Sequence, residues 1–77
     1  MKRIHILAIG SELEEMERNV EAAVVNLRDG YVIEKVSDAR EFLKFGVMYT
    51  PALVIDGEVK VVGKVPSTEE IIRFLGD

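Results

Sequence analysis

Two hydrophobic periods take turns along this chain, and each switch between them marks an element. Arg3 to Ile9 is an almost unbroken run of β-branched and apolar residues, the pattern of a strand covered on both faces. Gly10 ends it. Ser11-Glu12-Leu13-Glu14 has the form of a capping box, with serine at the N-cap and glutamate three residues on, so a helix is expected to open there. Leu13, Met16, Val20, Val24 and Leu27 step at helical spacing with Ala23 on the same stripe, and Asp29-Gly30 closes the segment. Tyr31 to Val36 reads as a second strand. Ser37 or Asp38 caps a short helix from Ala39 to Phe45, ended by Gly46.

Ala52 to Ile55 and Glu58 to Val62 predict two strands joined by Asp56-Gly57, a strong signal for a two-residue hairpin turn. Gly63 suggests a bulge near the end of the second of them. Ser67 with Glu70 forms another capping box, opening a last helix that runs to Leu75. The order is βαβαββα. Its first half is a parallel crossover and its second an antiparallel hairpin, which predicts an α/β fold: a four-stranded mixed sheet flanked by three helices.

Composition narrows the chemistry. The chain has 77 residues, no cysteine and a formal net charge of −4. A chain of that length is expected to form one domain over residues 1–77, and to be of marginal stability without a staple. The missing cysteines remove thiol catalysis, zinc ribbons and iron–sulfur ligation. With His5 as the single histidine, no transition-metal site is expected either. His5 and Ser11 are separated by roughly 20 Å of extended chain, too far for a nucleophile–base pair, so His5 reads as structural. No glycine-rich phosphate loop is present, and no cofactor is expected.

The charge is concentrated. Glu12, Glu14, Glu15, Glu17 and Glu21 stand against Arg18 alone, which leaves −4, and the other nine acids balance the other nine bases. An acidic chain of this kind argues against nucleic acid as a partner. No apolar run approaches membrane-spanning length, and the run after Lys2 and Arg3 is too short for a secretory leader, so the expectation is a cytoplasmic protein with no membrane partner.

The element order, with Thr50-Pro51 entering the third strand, resembles the thioredoxin fold. More closely, the chain is similar to the small thioredoxin/glutaredoxin-like "redox-active disulfide" proteins of archaea and bacteria. The resemblance runs nearly end to end and is densest from Gly46-Val47-Met48-Tyr49-Thr50-Pro51 through Ala52-Leu53-Val54-Ile55-Asp56-Gly57, and again over Gly63-Lys64-Val65-Pro66-Ser67. It implies a cis Thr50–Pro51 bond that leaves the Thr50 backbone groups free to pair with an extended substrate peptide.

The likeness breaks at one place. The family carries Cys-x-x-Cys after the first strand, and the two cysteine slots fall here on Ser11 and Glu14. Disulfide exchange needs a thiolate to attack and a second thiol to resolve the mixed disulfide, and neither residue can do either task. The family role of disulfide oxidoreductase is therefore disfavoured, and no catalytic residue is assigned.

The expected function is a redox-inactive module that binds a protein or peptide segment at the vestigial surface of Gly10, Ser11, Glu14, Met48, Tyr49, Thr50 and Pro51. Two readings of the glutamates stand side by side: a solvated, well-capped helix face, and a recognition patch for a basic partner. A third possibility is a small structural or self-associating domain, as a monomer or weak homodimer.

Overall fold

A computed structural model of the chain describes residues Met1 to Gly76. Strand β1 (Lys2–Leu7) is followed by helix α1 (Ser11–Val24), strand β2 (Tyr31–Val36) and helix α2 (Ala39–Phe42), which continues as a 3-10 turn over Leu43–Phe45. Strands β3 (Ala52–Ile55) and β4 (Glu58–Val62) and helix α3 (Thr68–Gly76) complete it. The sheet order is β2-β1-β3-β4, with β1 parallel to β2 and antiparallel to β3, and β3 antiparallel to β4.

The central position of β1 explains its sequence. Ile4 and Ile6 point to one face and are fully buried with Met16, Val20 and Val24 of α1 and Ile71 and Leu75 of α3. Leu7 points to the other face and packs with Phe42, Val47, Ala52 and Val54. Alternation is lost because both faces are covered, and β3, buried at all four positions, is equally apolar for the same reason. Phe45 and Phe74 are half-buried against these two clusters.

Local chemistry sets several boundaries. Asp38 caps α2, its Oδ1 accepting from the Arg40 N–H at 2.9 Å, and the Arg40 guanidinium hydrogen-bonded to it holds its carboxyl below the usual value. Gly46 ends the 3-10 turn in the left-handed region, at φ 76°. Asp56 (φ 50°) and Gly57 (φ 81°) both adopt the positive φ that a tight hairpin turn needs. At α3, Ser67 Oγ accepts from the Glu70 N–H at 3.1 Å while Glu70 Oε1 accepts from the Ser67 N–H at 3.0 Å, so that capping box is closed.

Four expectations need correction. The helix α1 is not opened by a Ser11–Glu14 box. Its N-cap is Gly10, at φ 64° and ψ −140°, and no side chain caps it. The chain swings from β1 into the helix one residue earlier than expected, so Ser11 is already helical and its hydroxyl makes no hydrogen bond to the orphan N–H groups. The same helix ends at Val24, not near Asp29, because the chain must unwind for Gly30 to accept from the Lys2 N–H and start β2. Leu27, though outside the helix, still packs against the core.

Strand β1 stops at Leu7, short of Ile9. The bulge of β4 lies at Lys60, between Val59 (opposite Val54) and Val61 (opposite Leu53), and not at Gly63. Gly63 instead turns the chain at φ 86° and donates its N–H to the Pro51 carbonyl at 2.8 Å.

Candidate functional site

The register of the central pair builds the candidate surface. Leu7 lies opposite Ala52, so the chain leaving β1 through Ala8, Ile9 and Gly10 runs beside the chain entering β3 through Thr50 and Pro51. The Ala8 N–H bonds the Val36 carbonyl and the Gly63 N–H bonds the Pro51 carbonyl, which ties the ends of β2 and β4 to the same edge. Gly10, Ser11, Thr50 and Pro51 thus share one end of the sheet, and Glu14 follows on the first turn of α1.

The residues differ in exposure. Pro51 is buried and Thr50 half-buried, while Met48 is 80% and Tyr49 71% exposed. These two are the most exposed large apolar side chains apart from Met1. Ser11 and Glu14 are exposed, and neither makes a side-chain hydrogen bond or ion pair among the described residues. The Thr50–Pro51 peptide bond is cis. Thr50 makes no backbone hydrogen bond among the described residues.

Ile9, 57% exposed, belongs to this end as well and was missed at the sequence level. It continues the apolar run of β1, and only the observed end of the strand at Leu7 releases it to solvent.

The site's electrostatics are one-sided. Over most of the surface acids and bases are matched: Lys2 with Asp56, Arg3 with Glu34, Lys35 with Glu17, Lys44 with Glu41, Lys64 with Glu70. Glu12, Glu14, Glu15 and Glu21 have no such partner among the described residues. Glu12 and Glu14 lie in the first turn of α1, where the helix dipole favours negative charge and where an incoming anion would meet repulsion.

His5 stands elsewhere. It sits mid-strand on β1, its Nε2 3.7 Å from Glu34 and its ring stacked at a tilt on Phe45 with centroids 4.8 Å apart. Its Nδ1 is buried without a hydrogen-bond partner. Among the described residues no three His, Cys, Asp or Glu side chains converge as metal ligands do, and no helix is long and apolar enough to cross a membrane.

In chemical terms this end of the molecule offers a hydroxyl, carboxylates, unpaired backbone groups and an apolar rim. It offers no thiol: the chain has no cysteine, so its own side chains contain no nucleophile or leaving group for disulfide exchange.

Comparison with known proteins agrees with the architecture. A thioredoxin domain family model matches residues 2–76. A thioredoxin from Methanothermobacter thermautotrophicus is 34% identical over 76 residues, an alignment covering 97% of this chain and 99% of that protein. Sheet order, helix placement and sequence agree, and the chain belongs to the thioredoxin domain family.

Proposed function

We propose that this protein is a redox-inactive member of its family that binds an extended protein segment at the surface of Gly10, Ser11, Glu14, Met48, Tyr49, Thr50 and Pro51. The observation that carries this reading is the pair Met48 and Tyr49, 80% and 71% exposed immediately before a half-buried Thr50 whose backbone groups are unpaired among the described residues. Exposed apolar side chains beside free backbone donors and acceptors are the two ingredients of strand-like peptide recognition: the backbone supplies affinity, the side chains selectivity. The unpaired glutamates at the start of α1 favour a segment with basic character over one carrying carboxylates.

Two measurements test the proposal. In an insulin-reduction assay the protein gives no turnover above background, because it has no thiol; activity would overturn the redox-inactive part. In a peptide-array screen, binders lose at least severalfold in affinity on Tyr49→Ala with Met48→Ala, residues whose exposure makes misfolding an unconvincing cause. Unchanged binding by the double variant would place recognition elsewhere.

A further inference from the structure

The two edges of the sheet are unequal. Strand β4 carries a bulge at Lys60 and turns away at Gly63, two devices that keep an edge from pairing with another chain. Strand β2 has neither. It pairs with β1 in unbroken register over six residues, from Lys2 opposite Tyr31 to Leu7 opposite Val36, with no proline, glycine or bulge.

The phase of that ladder is fixed at both ends: the Lys2 N–H donates to the Gly30 carbonyl, and the Ala8 N–H to the Val36 carbonyl. In a parallel pair the bonding residues alternate, so Val32, Glu34 and Val36 turn their backbone groups to β1. Tyr31, Ile33 and Lys35 turn theirs outward, and no backbone group among the described residues meets them.

A row of acids overlooks this edge. Glu17 of α1 reaches Lys35 of β2 at 3.1 Å, which places that flank of the helix above β2. Glu14 and Glu21 lie three and four residues to either side on the same flank, and neither has an ion-pair partner among the described residues.

We propose that the open edge of β2 receives an extended protein segment bearing lysine or arginine at alternate positions, which joins the sheet as a fifth strand. Its backbone pairs with the N–H and C=O groups of Tyr31, Ile33 and Lys35. Every second side chain lies on the α1 face, where the row from Glu14 to Glu21, about 10 Å long on the helix axis, accepts cations spaced two or four residues apart along a strand.

Charge decides the occupant. A second copy of this chain, paired edge to edge about a two-fold axis, would carry its own α1 on the same face of the joined sheet. The row Glu14, Glu17, Glu21 would then face its own image, and with Lys35 and Arg18 as the nearby bases of each copy the two facing surfaces keep the same net negative sign. A basic strand meets the same row with opposite charge. The surface lies along the side of the sheet and shares only Glu14 with the one proposed above; Tyr31, Ile33, Lys35 and Glu21 belong to it alone.

The test is a titration of the nitrogen-15-labelled protein with a blocked Lys-Val-Lys-Val-Lys peptide, against Glu-Val-Glu-Val-Glu as control. The amides of Tyr31, Ile33 and Lys35 are expected to shift and to exchange more slowly with solvent, for the lysine peptide only. Glu21→Gln, on an exposed position outside the surface proposed above, is expected to weaken binding about two- to fivefold, and added salt to weaken it further. Equal binding of both peptides, shifts confined to residues 10–14 and 48–51, no binding at all, or a dimer through β2 in sedimentation equilibrium would each overturn the proposal.

Discussion

The sequence contains the motif Ser-x-x-Glu at the expected start of two helices, Ser11 to Glu14 and Ser67 to Glu70, and the structure treats them differently. At α3 two reciprocal hydrogen bonds of 3.0 and 3.1 Å satisfy two backbone N–H groups of the first turn, and Lys64 Nζ adds a contact to Glu70 Oε2 at 2.9 Å. At α1 the serine hydroxyl caps nothing.

Ser67→Ala should therefore cost about 1 kcal/mol, in the range of 0.5–2 for lost serine caps. In a domain of this size that lowers the melting temperature by roughly 4–8 °C per kcal/mol. Ser11→Ala should stay within about 0.5 kcal/mol of the parent, since an exposed hydroxyl without a partner is replaced by a good helix former. Urea denaturation of the two variants beside the parent, followed by circular dichroism, measures both differences.

The pH dependence adds an independent check. The Ser67 N–H, first, and then the Lys64 ammonium hold the Glu70 carboxyl below its ordinary value of 4.5. A depressed folded-state value means that this stabilisation is fully present above the unfolded-state value and fades as pH falls through the folded one. The gap between parent and Glu70→Gln should thus narrow on acidification below about pH 4.5. If Ser11→Ala proves as costly as Ser67→Ala, or if the Glu70→Gln gap does not depend on pH, the assignment of the cap to one helix alone is wrong.

Other expectations follow from the same structure. Gly10→Ala should destabilise by about 1–3 kcal/mol: a Cβ there meets no atom within 4 Å, so the cost lies in the backbone, at φ 64° and ψ −140°; thermal melting measures it. Leu53→Ala, at a fully buried site in the central layer, should cost about 2–5 kcal/mol in chemical denaturation, enough to threaten folding of so small a domain. His5→Leu should be tolerated to within about 1 kcal/mol, because it removes the buried, unpartnered Nδ1 while keeping the apolar contact with Phe45; a larger loss would mean that the Glu34 pairing carries more weight than its 3.7 Å separation implies. Asp56 accepts from the Arg3 N–H at 2.9 Å and is held below its ordinary value of 3.8 chiefly by that bond, so Asp56→Asn should flatten the acid limb of the stability profile below about pH 4, as seen in denaturation at graded pH.

How much of the candidate site was legible depended on the kind of signal. The absence of thiols at Ser11 and Glu14 is a matter of residue identity and needs no coordinates. The accessibility of Met48 and Tyr49 is different: nothing in an apolar residue before Thr50-Pro51 tells whether it turns inward or out, and Val47 beside them is buried. Ile9 reads as strand from its neighbours, yet it lies in the open because β1 ends at Leu7.

What the sequence alone determined are the features closed by neighbours in the chain. Strands β2, β3 and β4, the Asp56-Gly57 turn, the Gly46 stop and the Ser67–Glu70 box all rest on propensity or on hydrogen bonds spanning a few residues. The net charge belongs here too: its placement on α1 follows from counting residues. Only the tertiary structure decided where α1 begins and ends, where β4 bulges, which acids find a base, and which edge of the sheet stays open. Each of these depends on a backbone or charge supplied by a distant segment: Val36 for the end of β1, Gly30 for the unwinding after α1, Lys35 for Glu17. Such partners leave no mark on the local pattern, because the free energy of the contact appears only when the fold has brought the segments together.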